Sequence, residues 1–256
     1  MPANYIIDMD GVIYLGNELI PGVQQFIERL VKGNHRFLFL TNSSNLTPSE
    51  IQRKLSKMGI EVSVNHFFTS AMATADFLHH QHPRGRVYII GGEGLREALT
   101  NIGYTITEED PDYVVVGTTR TYDYDHMAKA VELVRAGARL IGTNPDVTGP
   151  SDHGIIPACG ALVAPIQLVT GAHPYFVGKP NPLMMRTALR RIHAHSDDTF
   201  MVGDRMDTDV VAGTEAGMRT ILVLSGVTSR AEIDTYAFRP HYVFAAAGDI
   251  PVAELG

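Results

Sequence analysis

Cysteine is almost absent: Cys159 is the only one in 256 residues. A single thiol excludes an intramolecular disulfide and a metal cage built on thiolates, and it suits a reducing cytoplasm. Basic excess is also missing, since 21 Lys and Arg stand against 28 Asp and Glu for a formal charge of −7. That balance argues against a nucleic-acid polymer or an anionic membrane as partner, and an anionic substrate must be drawn in by local cations. No apolar run approaches the length that crosses a bilayer, and the N-terminus reads as a core strand without a signal-peptide pattern. Fixed-period repeats and low-complexity tracts are missing too. What is there, 45% hydrophobic and 19% charged residues, is the mix of a globular chain of one or two domains.

The chain opens on a stretch that the rest must explain. Residues 5–7, Tyr-Ile-Ile, read as a buried strand, too short and too β-branched for a helix. The strand stops at Asp8 and Asp10, and Gly11 follows. Strand residues two apart point the same way, so both carboxylates can face one point at the strand's carboxyl end. Like charges held that close need a cation, a proton or a cationic side chain between them. Gly11 lets the backbone turn tightly beside whatever sits there. Alone, the stretch also fits a polar turn after a strand.

Strand and helix alternate beyond it. Val23, Phe26, Ile27, Leu30 and Val31 recur at helical spacing up to Gly33. Residues 37–40 are a continuous apolar run, a strand buried on both faces, and it stops at Thr41-Asn42-Ser43-Ser44. Thr47, Pro48 and Glu50 start a second helix, with Thr47 as its cap, and Gly59 ends it. A short strand is expected at 67–69, and a helix from a Ser70 cap to about residue 80. The polar stretch 81–86, with Pro83 and Gly85, reads as a hinge into an inserted unit. That unit alternates in turn, with strands at 87–90, 113–116 and 140–141, helices at 94–102, 124–136 and 158–170, and a long loop before Pro157. After residues 175–177 come a helix at 183–193, a strand at 199–202, a helix at 209–216, a strand at 220–224, a short capped helix opening at 229–232 and an edge strand at 241–244. The expected fold is α/β: a Rossmann-like core with a parallel sheet from residues 1–81 and 178–256, and a second α/β domain inserted at 82–177.

In an open parallel sheet, ligands bind beyond the carboxyl ends of the strands. Four expected strand ends carry polar residues there: Asp8 and Asp10, Thr41 and Asn42, Lys179, and Asp204 with Asp209. Their types suit phosphoryl transfer. A phosphate monoester carries about two negative charges and resists an anionic nucleophile. A hard divalent cation, Mg2+ above all, would take oxygens from Asp8, the Asp10 backbone carbonyl and Asp204. With Lys179 sharing the neutralisation, Asp8 can attack phosphorus and form an aspartyl-phosphate. Asp10 would protonate the leaving oxygen and then deprotonate the hydrolytic water. The Thr41 hydroxyl and the Asn42 N–H can bind phosphoryl oxygens. Asp209 reads as orienting water or Lys179, with direct metal contact as the alternative.

Asp8-x-Asp10-Gly11, Thr41-Asn42-Ser43, Gly178-Lys179-Pro180 and Gly203-Asp204 with Asp209 resemble, in that order, the four motifs of the haloacid dehalogenase-like (HAD) superfamily. The insertion between the second and third motifs resembles the cap of the NagD-type phosphatase subfamily, as do the stretches 67–78, 157–162 and 222–229. The resemblance covers nearly the whole chain. It implies a Mg2+-dependent phosphomonoesterase acting on a small phosphorylated metabolite. Nucleoside 5′-monophosphates such as UMP come first, with sugar phosphates, phosphoglycolate and pyridoxal phosphate as alternatives. It implies phosphate binding by Gly11, Thr41, Asn42, Ser43 and Lys179, and substrate selection by the cap loop residues Asn144 and Asp146. Arg205 departs from the asparagine expected of near relatives. It leaves the metal loop intact and adds a cation beside it, so it bears on substrate preference.

Each motif alone has a plainer reading. Lys179 fits a solvated surface lysine, Asp204 a helix cap, and Asp209 a first-turn acid favoured by the helix dipole. Cys159, in a small apolar context, reads as a buried structural thiol. His79, His80 and His82 read as a solvated helix end, and Arg84 and Arg86 likewise. Among competing functions, a phospho-accepting switch or binding module needs Asp8 but no acid/base two residues on. A dehalogenase needs neither that residue nor a metal. Self-association stays open, since cap helices could pair without a visible sequence signature.

Overall fold

The apolar strand Asn4–Ile7 lies fourth of six in the first sheet, where both faces are covered and all four residues are buried. The computed structural model describes residues 3–151 and 154–255. The sheet runs Tyr242–Phe244, Arg219–Val223, Thr199–Gly203, Asn4–Ile7, Phe37–Thr41, Phe67–Thr69. Asn4–Ile7 is parallel to both neighbours, with Tyr5 opposite Phe200 on one side and Phe37 on the other. From this strand the chain builds the sheet in one direction through Phe37–Thr41 and Phe67–Thr69. It later builds it in the other direction from Thr199–Gly203. The reversal leaves a crevice at the carboxyl ends of Asn4–Ile7 and Thr199–Gly203, where the crossovers depart to opposite sides.

Burial explains the core. The Tyr5 ring stacks on Phe200 at 5.4 Å between centroids and meets Phe26 edge-on at 6.3 Å. Phe26 comes from helix Val23–Lys32, which buries Val23, Phe26, Ile27 and Leu30. Val31, counted above in the same stripe, is exposed instead: it sits about 100° round the helix from Leu30, beyond the covered arc.

By packing, the chain divides into two units. One comprises Met1–Thr41, Ile51–Phe68 and Lys179–Gly256, the other Asn42–Glu50 and Thr69–Gly178. Segments 42–50 and 69–81, read from sequence with the first domain, thus pack with the second unit, where helix Ser70–Gln81 lies against helix Glu93–Asn101. The second unit has its own parallel sheet, ordered Tyr175–Phe176, Arg139–Gly142, Tyr113–Val116, Arg86–Ile90, Thr105–Ile106. Helices Tyr124–Arg135 and Cys159–Thr170 pack on each other and enclose Val114, Val116, Leu133 and Val163.

Three local expectations change. The cap of Ser70–Gln81 is Thr69, whose hydroxyl accepts the Met72 N–H at 3.2 Å. The long loop before Pro157 contains an antiparallel hairpin, Thr148–Ser151 with Gly154–Pro157, whose tip lies outside the described residues. Gly149, Pro150 and Gly154 hide it, because such residues demote a strand that is not in a larger sheet. The expected helix at 209–216 begins as a π-helical turn over Met206–Val210 before regular helix at Val211–Glu215. Among the described residues no helix is long and apolar enough to cross a membrane.

Phe200 is fully buried among Tyr5, Tyr242 and the Arg219 guanidinium. Phe200→Ala should therefore cost about 3–5 kcal/mol of unfolding free energy. Urea melts of the two proteins check this; a loss under about 1 kcal/mol would mean the aromatic layer is not a principal part of the core.

Candidate active site

Two strand ends bring the acids together. Asp8 follows Asn4–Ile7, and its N–H donates to the Val202 carbonyl at 2.8 Å, so the ladder persists one residue into the site. Asp204 follows Thr199–Gly203 on the neighbouring strand. Lys179 supplies the cation. Its Nζ donates to Asp8 Oδ1 at 2.6 Å and to Asp209 Oδ1 at 2.7 Å, with the side chain almost wholly buried. The π-helical turn carries Asp209, and the Arg205 N–H donates to its Oδ2 at 3.1 Å.

Asp204 is seated by backbone. The Val227 N–H donates to its Oδ2 at 2.7 Å. Gly11, at φ +79°, and Gly226 lie so close to this carboxylate that a Cβ at either would overlap it. The Ser225 hydroxyl donates to the Gly11 carbonyl at 2.7 Å and ties the two loops together. Residues 225–227 were missed in the sequence, although they follow a further strand, Arg219–Val223, and the same strand-end rule would have found them.

One ammonium faces three carboxylates, and the titration of Asp8, Asp204 and Lys179 reflects it. Burial pushes Asp8 well above the usual carboxylate range; Lys179 opposes that push, and Asp209 and Asp204 add to it. Burial and the Asp209 charge raise Asp204 to about 7. Burial works against the charge on Lys179, but Asp209 and Asp8 outweigh it and shift the lysine upward, so it stays an ammonium. A second cation would relieve the remaining negative charge. Asp8, Asp204 and Asp209 each offer an oxygen within 4.8 Å of the others. Asp204 Oδ1 is buried and, among the described residues, accepts no hydrogen bond. A set of carboxylate oxygens with one buried acceptor unused fits a hard divalent cation.

Asp10 stands beside this cluster. Burial raises its carboxyl, while Lys54, Lys179 and a hydrogen bond from Tyr14 lower it. Tyr14 and Lys54 were not among the expected site residues. Thr41, buried, ends Phe37–Thr41 next to Asn4–Ile7.

The second unit gathers Asn42, Asn144 and Asp146. Asn42 Nδ2 donates to Asp146 Oδ2 at 2.9 Å, and Asn144 Nδ2 donates to the Asn42 carbonyl at 2.7 Å. That carbonyl also accepts the Ser70 hydroxyl at 2.6 Å, and the Asp146 N–H donates to Asn144 Oδ1 at 3.1 Å. Asn144 is 2% exposed, so its amide serves this network. Ser43 is half-buried, and Ser44, fully buried, accepts the Thr143 hydroxyl at 3.2 Å.

The remaining candidates have structural partners. Arg205 forms a two-point contact with Asp207, Nε to Oδ1 at 3.0 Å and an outer nitrogen to Oδ2 at 2.8 Å. Cys159 is buried, its thiol raised by burial and 3.1 Å from the Val116 carbonyl. His80 contacts the Asp76 carbonyl, and His82 lies 3.4 Å from Asp112.

Residues 5–105 match a family model described as haloacid dehalogenase-like hydrolase, and residues 176–250 one described as HAD-hydrolase-like. The chain is 47% identical over 247 residues to the dihydroxyacetone phosphatase of Corynebacterium glutamicum, covering 96% of this chain and 90% of that protein. It is 43% identical over 249 residues to the ribonucleotide monophosphatase NagD of Escherichia coli, covering 97% and 98%. The solved structure of E. coli NagD superposes with a TM-score of 0.92 at 42% identity, over 98% of this chain and 99% of that one. The 4-nitrophenylphosphatase of Thermotoga maritima superposes with a TM-score of 0.93 at 37% identity, over 97% and 95%.

Two outcomes follow from the geometry. Folded Asp204 keeps its proton to about pH 7, while the unfolded residue ionises near pH 4. In that window the folded state holds the extra proton, so rising pH lowers stability and the loss is complete above about pH 7. Urea midpoints of the metal-free protein should fall across this range, and fall less in Asp204→Asn; equal slopes would refute the assignment. Asp146→Ala removes the acceptor for Asn42, whereas Asp146→Asn can still present an oxygen to it. The alanine variant should lower the unfolding free energy by about 1 kcal/mol and the asparagine variant by less, as fits one hydrogen bond; equal losses in urea melts would refute this role for the bond.

Proposed function

We propose that this chain, which belongs to the haloacid dehalogenase-like hydrolase family, hydrolyses small phosphate monoesters through a phosphorylated Asp8 with Mg2+ as cofactor. Its near full-length relatives are phosphatases, and it is a phosphomonoesterase. One observation carries the mechanism: Lys179 holds one Asp8 oxygen between strand end and π-helical turn, beside the unused oxygen of Asp204.

Asp8, with Oδ1 fixed by Lys179, presents its other oxygen to phosphorus. A new O–P bond forms, the ester P–O bond breaks, and the Asp10 carboxyl gives its proton to the departing oxygen. Asp10, now a carboxylate, takes a proton from water as that water attacks the phosphorus of the acyl phosphate. Inorganic phosphate leaves and Asp8 is restored. Mg2+ would be held by Asp8, Asp204, Asp209 and the Asp10 carbonyl, and it supplies charge neutralisation for the phosphoryl oxygens. Lys179 and the Thr41 hydroxyl take the remaining oxygen charge.

For substrate, UMP and other nucleoside 5′-monophosphates are the first reading, supported by the likeness to NagD. A triose or sugar phosphate is the second, favoured by the higher identity to a dihydroxyacetone phosphatase. A reducing, cytoplasmic setting fits either metabolite class and a chain with one buried thiol.

Steady-state phosphate release from a panel of monoesters, with and without chelator, tests all of this. Chelation should abolish turnover, Asp8→Asn should abolish it, and Asp10→Asn should lower it by roughly 10²- to 10⁴-fold. Full activity in Asp8→Asn would refute the covalent route. A kcat/KM for dihydroxyacetone phosphate above that for UMP would replace the first substrate reading with the second.

A further inference from the structure

The sheet of the second unit has one face that its helices leave partly open. Tyr113 stands opposite Arg139 on neighbouring parallel strands, and Tyr175 of the edge strand stands opposite Ile141. Residues two apart on a strand share a face, so Tyr113, Arg139, Ile141 and Tyr175 lie on one side of the sheet. Val114, Val116 and Leu140 take the other side, in the core with Leu133 and Val163 of helices Tyr124–Arg135 and Cys159–Thr170. On the first side, the Phe77 ring of helix Ser70–Gln81 stacks on Tyr175, 4.8 Å between centroids and 24° from parallel. The helix ends at Gln81, and there a cavity of about 500 Å3 opens. Tyr113, Arg139 and Tyr175 each begin their strand, so the cavity lies at the amino edge of this sheet. It contains none of the residues assigned to phosphate chemistry.

The lining has a definite chemistry. The Arg139 guanidinium lies 5.2 Å from the Tyr113 ring centroid, and one of its outer nitrogens donates to the Tyr113 hydroxyl at 2.9 Å. The neighbouring strand thereby holds the planar fork in place. Among the described residues Arg139 forms no ion pair within 4 Å. No Asp or Glu lines the cavity, although the chain carries 28 of them and a formal charge of −7. His173 and Gln81 add polar groups at its margin. Stacked rings on one side and a fixed cation on the other, with no acid between them, match a flat ring that bears a negative charge. The volume is that of a small-molecule site. A protein segment adding to the sheet is a poor match, because the edge strand Tyr175–Phe176 offers it only two residues.

We propose that this cavity is a second binding site, for a small planar aromatic anion whose charged group meets Arg139 and whose ring lies against the Phe77–Tyr175 pair. The site is independent of the phosphatase reading and stands or falls without it. Both parts are required. An exposed guanidinium alone attracts any anion weakly, because water screens it. An aromatic wall alone accepts any apolar body. Held together on one sheet face, they select a ligand that is flat and anionic at once.

The experiment is calorimetric titration of the full chain with three probes: 2-naphthoate, the neutral 2-naphthylmethanol and the non-planar cyclohexanecarboxylate. In the wild type 2-naphthoate should bind saturably with a Kd below about 1 mM, and the other two about tenfold or more weaker. Arg139→Met should weaken 2-naphthoate by about tenfold or more, as fits losing a hydrogen bond to a charged group. Tyr175→Ala should weaken it by about fivefold, and Tyr175→Phe, which keeps the ring, by less than about twofold. Urea melts establish that each variant is folded, and the ranking of the three probes in the wild type tests the site whatever they show. Absence of saturable 2-naphthoate binding, equal binding of the neutral alcohol, or an unchanged Kd in folded Arg139→Met would each overturn the proposal. A wild type that sediments as a dimer, falls apart in Tyr175→Ala and ignores 2-naphthoate would give the cavity to a second copy of the chain and overturn it as well.

Discussion

The Lys179 ammonium, shared between Asp8 and Asp209, is the interaction on which the catalytic unit turns. A buried ammonium is costly, and so are two buried carboxylates; together, at 2.6 and 2.7 Å, they are tolerated. The bridge joins three separate parts of the chain: the end of the first strand, the segment entering helix Pro182–Arg191 and the π-helical turn. Deleting the ammonium alone would leave both acids uncompensated, a change of about 3–5 kcal/mol for buried pairs of this kind. The bridge is also incomplete as a charge balance, because Asp204 remains nearby with one oxygen unused. That surplus fits a divalent cation, so the electrostatics that hold the fold together at this point also suit a metal.

The sheet makes that arrangement possible. Its two central strands run in parallel, and their crossovers leave in opposite directions. Backbone N–H groups at the carboxyl ends can then be satisfied by loops and not by the next strand. The Val227 N–H on Asp204 and the Arg205 N–H on Asp209 are of this kind. The close approach of Gly11 and Gly226 to Asp204 has the same origin: two loops converge on one carboxylate, and side chains there would push it away.

Much of this was legible in the sequence because of contrast. Residues 5–7, 37–40 and 199–202 are apolar runs that stop abruptly at charged or hydroxyl residues, and such a break marks a strand end facing a ligand. Tyr14 offered no contrast. It closes the apolar run Val12, Ile13, Tyr14 and reads as core, which it is, apart from its hydroxyl. Lys54 reads as the polar face of an amphipathic helix, and only the fold puts an aromatic ring beneath it. The Asn42–Asp146 bond joins residues 104 positions apart, and no local pattern encodes such a pairing. Ser70 reads as a cap where Thr69 does that work; a threonine before a serine leaves the choice to backbone angles, and Ser70 instead donates to the Asn42 carbonyl.

Selectivity is a separate question from chemistry. In the proposed mechanism the acids, Lys179 and Thr41 act on the phosphoryl group, which every monoester presents in the same form, so they cannot rank esters by what the phosphate is attached to. The sequence points to Asn144 with Asp146, and to Arg205, for a ranking role. In the structure Asp146 accepts the Asn42 side-chain amide and Asn144 donates to the Asn42 carbonyl. The Arg205 guanidinium meets the Asp207 carboxylate at two points, and its charge also opposes the upward push on Asp204. Discrimination between a nucleotide and a triose phosphate must then arise from side chains that touch the leaving group, and not from those that hold the reacting phosphate. This accounts for relatives of 47% and 43% identity that carry names for different substrates. Overall identity is dominated by the shared core, while the choice of ester rests on a few positions that identity barely weighs.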